Sequence, residues 1–201
     1  MPAAEGNILG VIGSPRADAV SASFVKAVLA EAVTHGATVR ELDLRSQALP
    51  LFEPDVDVNG AVAKARELVV WADAFVLGTP DYHGAPSGII KNFLDHFWME
   101  FAGKLFAIAV SSNEKGLTVQ DHLRTSVRQC YAWSLPYGVG APESALDDAG
   151  AVADTKVRQR LAMMARDLVV YGALLRGQRL ADLDGPRDSR VSGFMARMHL
   201  D

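Results

Sequence analysis

The chain has 201 residues, 49% of them hydrophobic, a formal net charge of −4 and one cysteine, Cys130. That charge argues against nucleic acid as the main partner, because phosphate binding needs a basic face, and a lone cysteine excludes an internal disulfide. No apolar run reaches the roughly 18 residues of a membrane span, and residues 1–6 lack the basic and apolar regions of a secretory signal, so a cytoplasmic protein is expected.

Residues 8–13 are a short apolar run ending in Gly-Ser-Pro, which predicts a buried strand and a loop. From Ser23, the residues Phe24, Val25, Val28, Leu29 and Ala32 fall at helical spacing, and His35-Gly36 is a stop signal. Residues 38–44 alternate as a second strand, and residues 49–59, with Pro50 and Pro54, read as a loop. A helix is expected over 61–72, a strand over 74–79 ending at Pro80, a helix over 89–97, a strand over 105–110 and a helix over 117–130. Cys130 at the end of that helix reads as a buried structural thiol. Residues 133–139 read as the fifth strand, near an edge because Pro136 interrupts it. Val157, Leu161, Met164, Leu168, Tyr171 and Leu175 step by three and four along a last long helix, and residues 177–201 read as a polar tail. Continuous apolar strands alternating with helices imply a parallel sheet covered on both faces, in one domain.

Ligands of such sheets bind beyond the C-terminal ends of the strands, where the strand order reverses. The loop after strand one carries Ser14, Arg16, Ser21 and Ser23 ahead of a helix. Hydroxyls, a guanidinium and a helix N-terminus together suit a phosphate dianion; alternatively, Ser21 or Ser23 only caps the helix. After strand three, Thr79-Pro80-Asp81-Tyr82-His83-Gly84-Ala85-Pro86-Ser87-Gly88 is stiffened by prolines and presents an aromatic face and backbone N–H groups to a flat heterocycle. After strand four, Ser112, Asn113 and Gly116 are small or polar and permit close approach to a ligand. With strand order 2-1-3-4-5 these three loops meet at one mouth, and FMN has the matching shape: a phosphate at one end and a planar ring at the other.

These residues resemble the NADPH-dependent FMN reductase family. Gly13, Ser14 and Arg16 match its phosphate loop, with Ser21 and Ser23 in the later places and two extra residues between Arg16 and Ser21. Thr79-Pro80-Asp81-Tyr82-His83-Gly84 and Gly88-Ile89-Ile90-Lys91-Asn92 match its second motif, with Asp81 and His83 where Glu and Asn are commoner. Gly103-Lys104 also fits the family, whereas Ser111-Ser112-Asn113 stands where Gly-Gly pairs are frequent. The resemblance implies a flavodoxin-like three-layer sandwich with a five-stranded parallel sheet. It implies bound FMN, NADPH or NADH as co-substrate, and hydride transfer to the flavin followed by reduction of a flavin, a quinone or another small acceptor. It assigns Ser14, Arg16, Ser21 and Ser23 to the phosphate, Pro80, Asp81, Tyr82, His83 and Gly84 to the ring, and Ser112, Asn113 and Gly116 to its far side, with no catalytic side chain. It implies a homodimer or homotetramer, for which Phe93, Phe97, Trp98, Met99 and Phe101 are the candidate interface, with core packing the alternative.

The rival functions have weaker support. A flavodoxin serving a protein partner would carry a Thr-Gly phosphate loop, which is absent. A dinucleotide dehydrogenase needs Gly-x-Gly-x-x-Gly, but only Gly10 and Gly13 are present, leaving Asp43 without its motif. Residues 84–88 miss the Gly-x-Ser-x-Gly spacing of a serine hydrolase. The five histidines, His35, His83, His96, His122 and His199, show no metal-ligand spacing, and His96 beside Asp95 reads as a helix-surface or interface residue.

Overall fold

The computed structural model describes residues 6–56 and 60–184. The strands β1 (Asn7–Ile12), β2 (Thr38–Asp43), β3 (Ala74–Pro80) and β4 (Leu105–Ser111) run parallel, in the order β2-β1-β3-β4. The helices are α1 (Val20–Thr34), α2 (Gly60–Trp71), α3 (Gly88–Asp95), α4 (Leu117–Gln129) and α5 (Thr155–Asp184). The flavodoxin-like order 2-1-3-4-5 is therefore present. Its fifth position is divided: β5 (Trp133–Ser134) pairs with the start of β4, and β6 (Val139–Ala141) with its end. Pro136 lies in the break, where it has no N–H to give the ladder.

Alternation along the strands sorts the core into two layers. Ile8, Ile12, Val76 and Ala107 face α1 and α5, where Phe24, Val25, Leu161, Met164 and Leu168 meet them. Leu9, Val11, Phe75, Leu77, Phe106 and Ile108 face α2, α3 and α4. Here Phe75 stacks on Phe106 with centroids 4.4 Å apart, and Phe101 meets both edge-on. Each fully buried ring of this kind contributes roughly 1.5–3 kcal/mol of transfer free energy. α1 lies unusually close to the sheet at Gly78, where a Cβ would sit 2.4 Å from Val25 and 2.8 Å from the Ser21 carbonyl.

Three expectations are corrected here. α1 begins at Val20, a turn earlier than Ser23 suggests. α5 continues to Asp184 instead of ending near Leu175, because Arg176 and Arg179 ion-pair with Asp73 under the sheet; the rest of the expected tail, residues 185–201, lies outside the described residues. In the aromatic stretch Phe93, Phe97 and Phe101 belong to the chain's own core, and Trp98 is the exposed member, with Met99 half-buried. Cys130 is half-buried, and desolvation raises its thiol pKa.

Candidate functional site

The loops after β1, β3, β4 and β6 are tied into one rim. Gly13 N–H donates to the Gly78 carbonyl at 2.7 Å. Ser87 Oγ donates to the Gly13 carbonyl, and Ser87 N–H donates to Thr79 Oγ1 at 3.0 Å. Asp81 N–H reaches the Ser111 carbonyl at 2.9 Å, and Ser112 N–H reaches the Ala141 carbonyl at 3.0 Å. Farther out, Asn92 of the second motif accepts from Phe52 N–H and donates to the Pro50 carbonyl, each at 2.8 Å, fastening the loop after β2. His96 also contacts the Pro50 carbonyl, at 2.9 Å, so it serves loop anchoring.

Within this rim lies an open cavity of about 480 Å³. Ser14, Arg16, Ser21, Pro80, Asp81, Tyr82, His83, Gly84, Ser112 and Asn113 all line it. Ser23 and Gly116 do not. Ser23 is displaced because α1 starts at Val20, which puts it inside the first turn. Gly116 caps α4 at φ +60 and packs against Val110, where a Cβ would come within 2.5 Å. The cavity also holds Glu114, Thr118, Pro142 and Glu143, which the sequence reading passed over. Thr118 opens the helix that follows the third loop. Pro142 and Glu143 follow β6, a strand end that lies beyond the expected fifth strand at residues 133–139.

The first loop is built to meet an anion. Ala19 is the N-cap of α1 and offers no side-chain acceptor, so neither Ser21 nor Ser23 caps the helix. Ala22 N–H turns back to the Ala19 carbonyl at 2.9 Å, while no side chain caps the N–H groups of Val20 and Ser21, which lie at the positive dipole end. Ser21 Oγ is buried and has no hydrogen-bond partner. Ser14 Oγ accepts from Arg16 N–H at 3.2 Å, leaving its own proton to donate. Arg16 stands exposed at the mouth. By contrast, α3 is capped internally, Ser87 Oγ accepting from Ile90 N–H at 3.4 Å.

The second loop is a tight two-residue hairpin. Tyr82 and Ala85 exchange both backbone hydrogen bonds, at 3.0 and 3.1 Å, and His83 and Gly84 sit between them at φ +58 and +79. Two positive φ angles define the type I′ turn, which favours Asn and Gly, so the common Asn at the His83 position answers a backbone demand. Asp81 turns inward: its carboxylate accepts from Gly84 N–H and from Ser112 Oγ, each at 2.9 Å. Ser112 Oγ in turn accepts from Glu114 N–H at 3.1 Å. The side chain of Asp81 thus positions the turn and joins it to the loop after β4, while Tyr82, 41% exposed, keeps its ring available.

An uncapped helix end with an unpartnered buried hydroxyl fits a phosphate, and a fixed turn facing small polar residues fits a flat ring, so the residues present fit FMN.

Comparison with known proteins agrees. The sequence pattern of the family described as NADPH-dependent FMN reductase matches residues 7–146. An FMN-dependent NADPH-azoreductase of Staphylococcus haemolyticus is 29% identical over 172 residues, covering 80% of this chain and 91% of that protein. A flavoenzyme NAD(P)H:(acceptor) oxidoreductase from Paracoccus denitrificans shares the fold at a TM-score of 0.70 and 20% identity, over 83% of this chain and 97% of that one. An NADH:FMN oxidoreductase does so at 0.69 and 19% identity, over 83% and 89%.

Proposed function

The chain belongs to the NADPH-dependent FMN reductase family, and from that premise we propose that it is a single-domain cytoplasmic enzyme that uses FMN to carry electrons from NADPH to a small planar acceptor such as an azo compound, a quinone or a free flavin. It is an oxidoreductase by family, and FMN and NADPH are that family's cofactor and co-substrate. Among the described residues no helix is long and apolar enough to cross a membrane. One observation supports the binding mode above others: the buried, unpartnered Ser21 Oγ at an uncapped helix end opens into the same cavity as the Tyr82–Ala85 hairpin.

FMN, when bound, supplies two-electron chemistry, taking hydride from NADPH and passing electrons to the acceptor. The chain's own residues bind and orient. Ser14, Ser21, Arg16 and the N–H groups of Val20 and Ser21 would hold the phosphate. The hairpin from Tyr82 to Ala85 and the Ser112-Asn113 backbone would flank the ring, with Asp81 holding the two loops together. The cavity stays open on one side, where nicotinamide and acceptor take turns. No side chain of the rim is assigned a proton. The enzyme works as a homodimer or homotetramer, with Trp98 as one exposed candidate for the contact.

Anaerobic mixing with NADPH tests this. The yellow absorbance of the FMN-loaded protein should bleach without any protein partner and return on adding an azo dye or quinone. A flavin that stays oxidised would instead indicate an electron carrier that depends on another protein.

A further inference from the structure

A second pocket, of about 270 Å³, lies on the other side of the loop after β4. Glu114 faces the flavin cavity and the next residue, Lys115, faces this one. Lys115, Arg124 and Arg160 line it, and no carboxylate does. Three cations together are notable in a chain of net charge −4. Their frame is fixed. Lys115 holds a left-handed backbone at φ +67, and its carbonyl accepts from Gln120 Nε2 at 2.9 Å. Arg160, reaching over from α5, donates to the Gly138 carbonyl at 2.9 Å. Arg124 spends Nη1 on the exposed Asp121 at 2.9 Å and Nη2, at 3.5 Å, on Gln120 Oε1, while its Nε is buried without a partner. Among the described residues, neither Lys115 nor Arg160 has a carboxylate within ion-pair distance, so most of the positive charge here is uncompensated. Pro136 and Tyr137 supply an apolar wall beside it.

We infer that Lys115, Arg124 and Arg160 form an anion site for the 2′-phosphate of NADPH, with the adenine resting against Pro136 and Tyr137. This rests on the proposed function, because the nicotinamide must then reach over the same loop into the flavin cavity. Guanidinium forks suit a phosphate monoester dianion. That group is what separates NADPH from NADH, so the pocket would set the choice between the two.

Two measurements test it. In steady-state turnover of the FMN-loaded enzyme, Lys115→Gln and Arg124→Gln should each raise KM for NADPH about tenfold, as expected for losing one charge-assisted contact. KM for NADH should stay within twofold. Equal changes for both nucleotides, or none, would overturn the assignment. The second measurement needs no turnover: calorimetry of the protein as purified with adenosine 2′,5′-bisphosphate, 5′-AMP and inorganic phosphate. The bisphosphate should bind at least tenfold more tightly than AMP, and Arg124→Gln should remove that preference. AMP or phosphate binding as tightly as the bisphosphate would overturn the site as a nucleotide reader. If no nucleotide is oxidised but the bisphosphate preference holds, the proposed function fails and the site stands.

Discussion

At the N-terminal edge of the sheet, Asp73 is 6% exposed and fully occupied: it accepts from Asn7 N–H at 3.1 Å and Arg179 Nη2 at 2.8 Å, and ion-pairs with Arg176 at 3.2 Å. Beside it, buried Lys104 donates to the carbonyls of Val69 and Val70 at 2.7 and 3.2 Å, closing the end of α2. At the opposite rim, Ser21 Oγ is equally buried and has nothing, and α1 starts without a cap. Asp73 and Lys104 are thus satisfied, whereas Ser21 Oγ at the opposite rim is not. Buried polar groups are normally paired because leaving them bare costs about 1–3 kcal/mol. On the proposed function, the Asp73 ion pairs serve stability and the bare Ser21 hydroxyl awaits a ligand.

The largest test of this contrast is Asp73→Ala. It strands two guanidiniums at the lower edge and should cost about 3 kcal/mol of unfolding free energy in urea, while FMN affinity of the folded protein stays unchanged. A comparable effect is expected from pH. Burial, chiefly, lowers the Lys104 pKa from 10.5 to about 8. Between those values the unfolded chain holds a proton that the folded chain has released, so stability rises with pH across this window. The rise should be up to about 3 kcal/mol and absent in Lys104→Met, as urea melts at pH 7.5 and 10 would show. At the upper rim, Arg16→Ala should weaken FMN binding by roughly 1.5–3 kcal/mol, the worth of a charged hydrogen bond, without moving the unfolding midpoint of the flavin-free protein. Ser21→Ala is the smallest and the most discriminating. Removing an unpartnered buried hydroxyl should raise flavin-free stability by about 1 kcal/mol and weaken FMN binding by about as much. Effects of the same sign on both would mean that Ser21 serves the fold.

Much of the fold is legible in the chain because buried parallel strands are continuous apolar runs: β1, β3 and β4 follow from residues 8–13, 74–79 and 105–110. The fifth strand was harder, since two pieces of two and three residues carry no period. The loops that follow clear strands gave most of the cavity. Ser23 was misplaced because Ala19 caps α1 with backbone alone, so no polar residue marks the true start. Pro142 and Glu143 were missed for want of a visible strand before them. The Asp73 cluster is wholly tertiary: Asn7 and Arg179 lie 66 and 106 residues away, Arg176 is nearly as remote as Arg179, and no local pattern announces them.

The central claim is that the open rim is completed by a phosphorylated flavin. Fluorescence titration of flavin-free protein with FMN and, separately, with riboflavin tests it most directly. One equivalent of FMN should saturate the quenching, and riboflavin, lacking the phosphate, should bind at least a hundredfold more weakly, as roughly 3 kcal/mol of charged contacts requires. Equal affinity for the two flavins, or no quenching by either, would contradict the account.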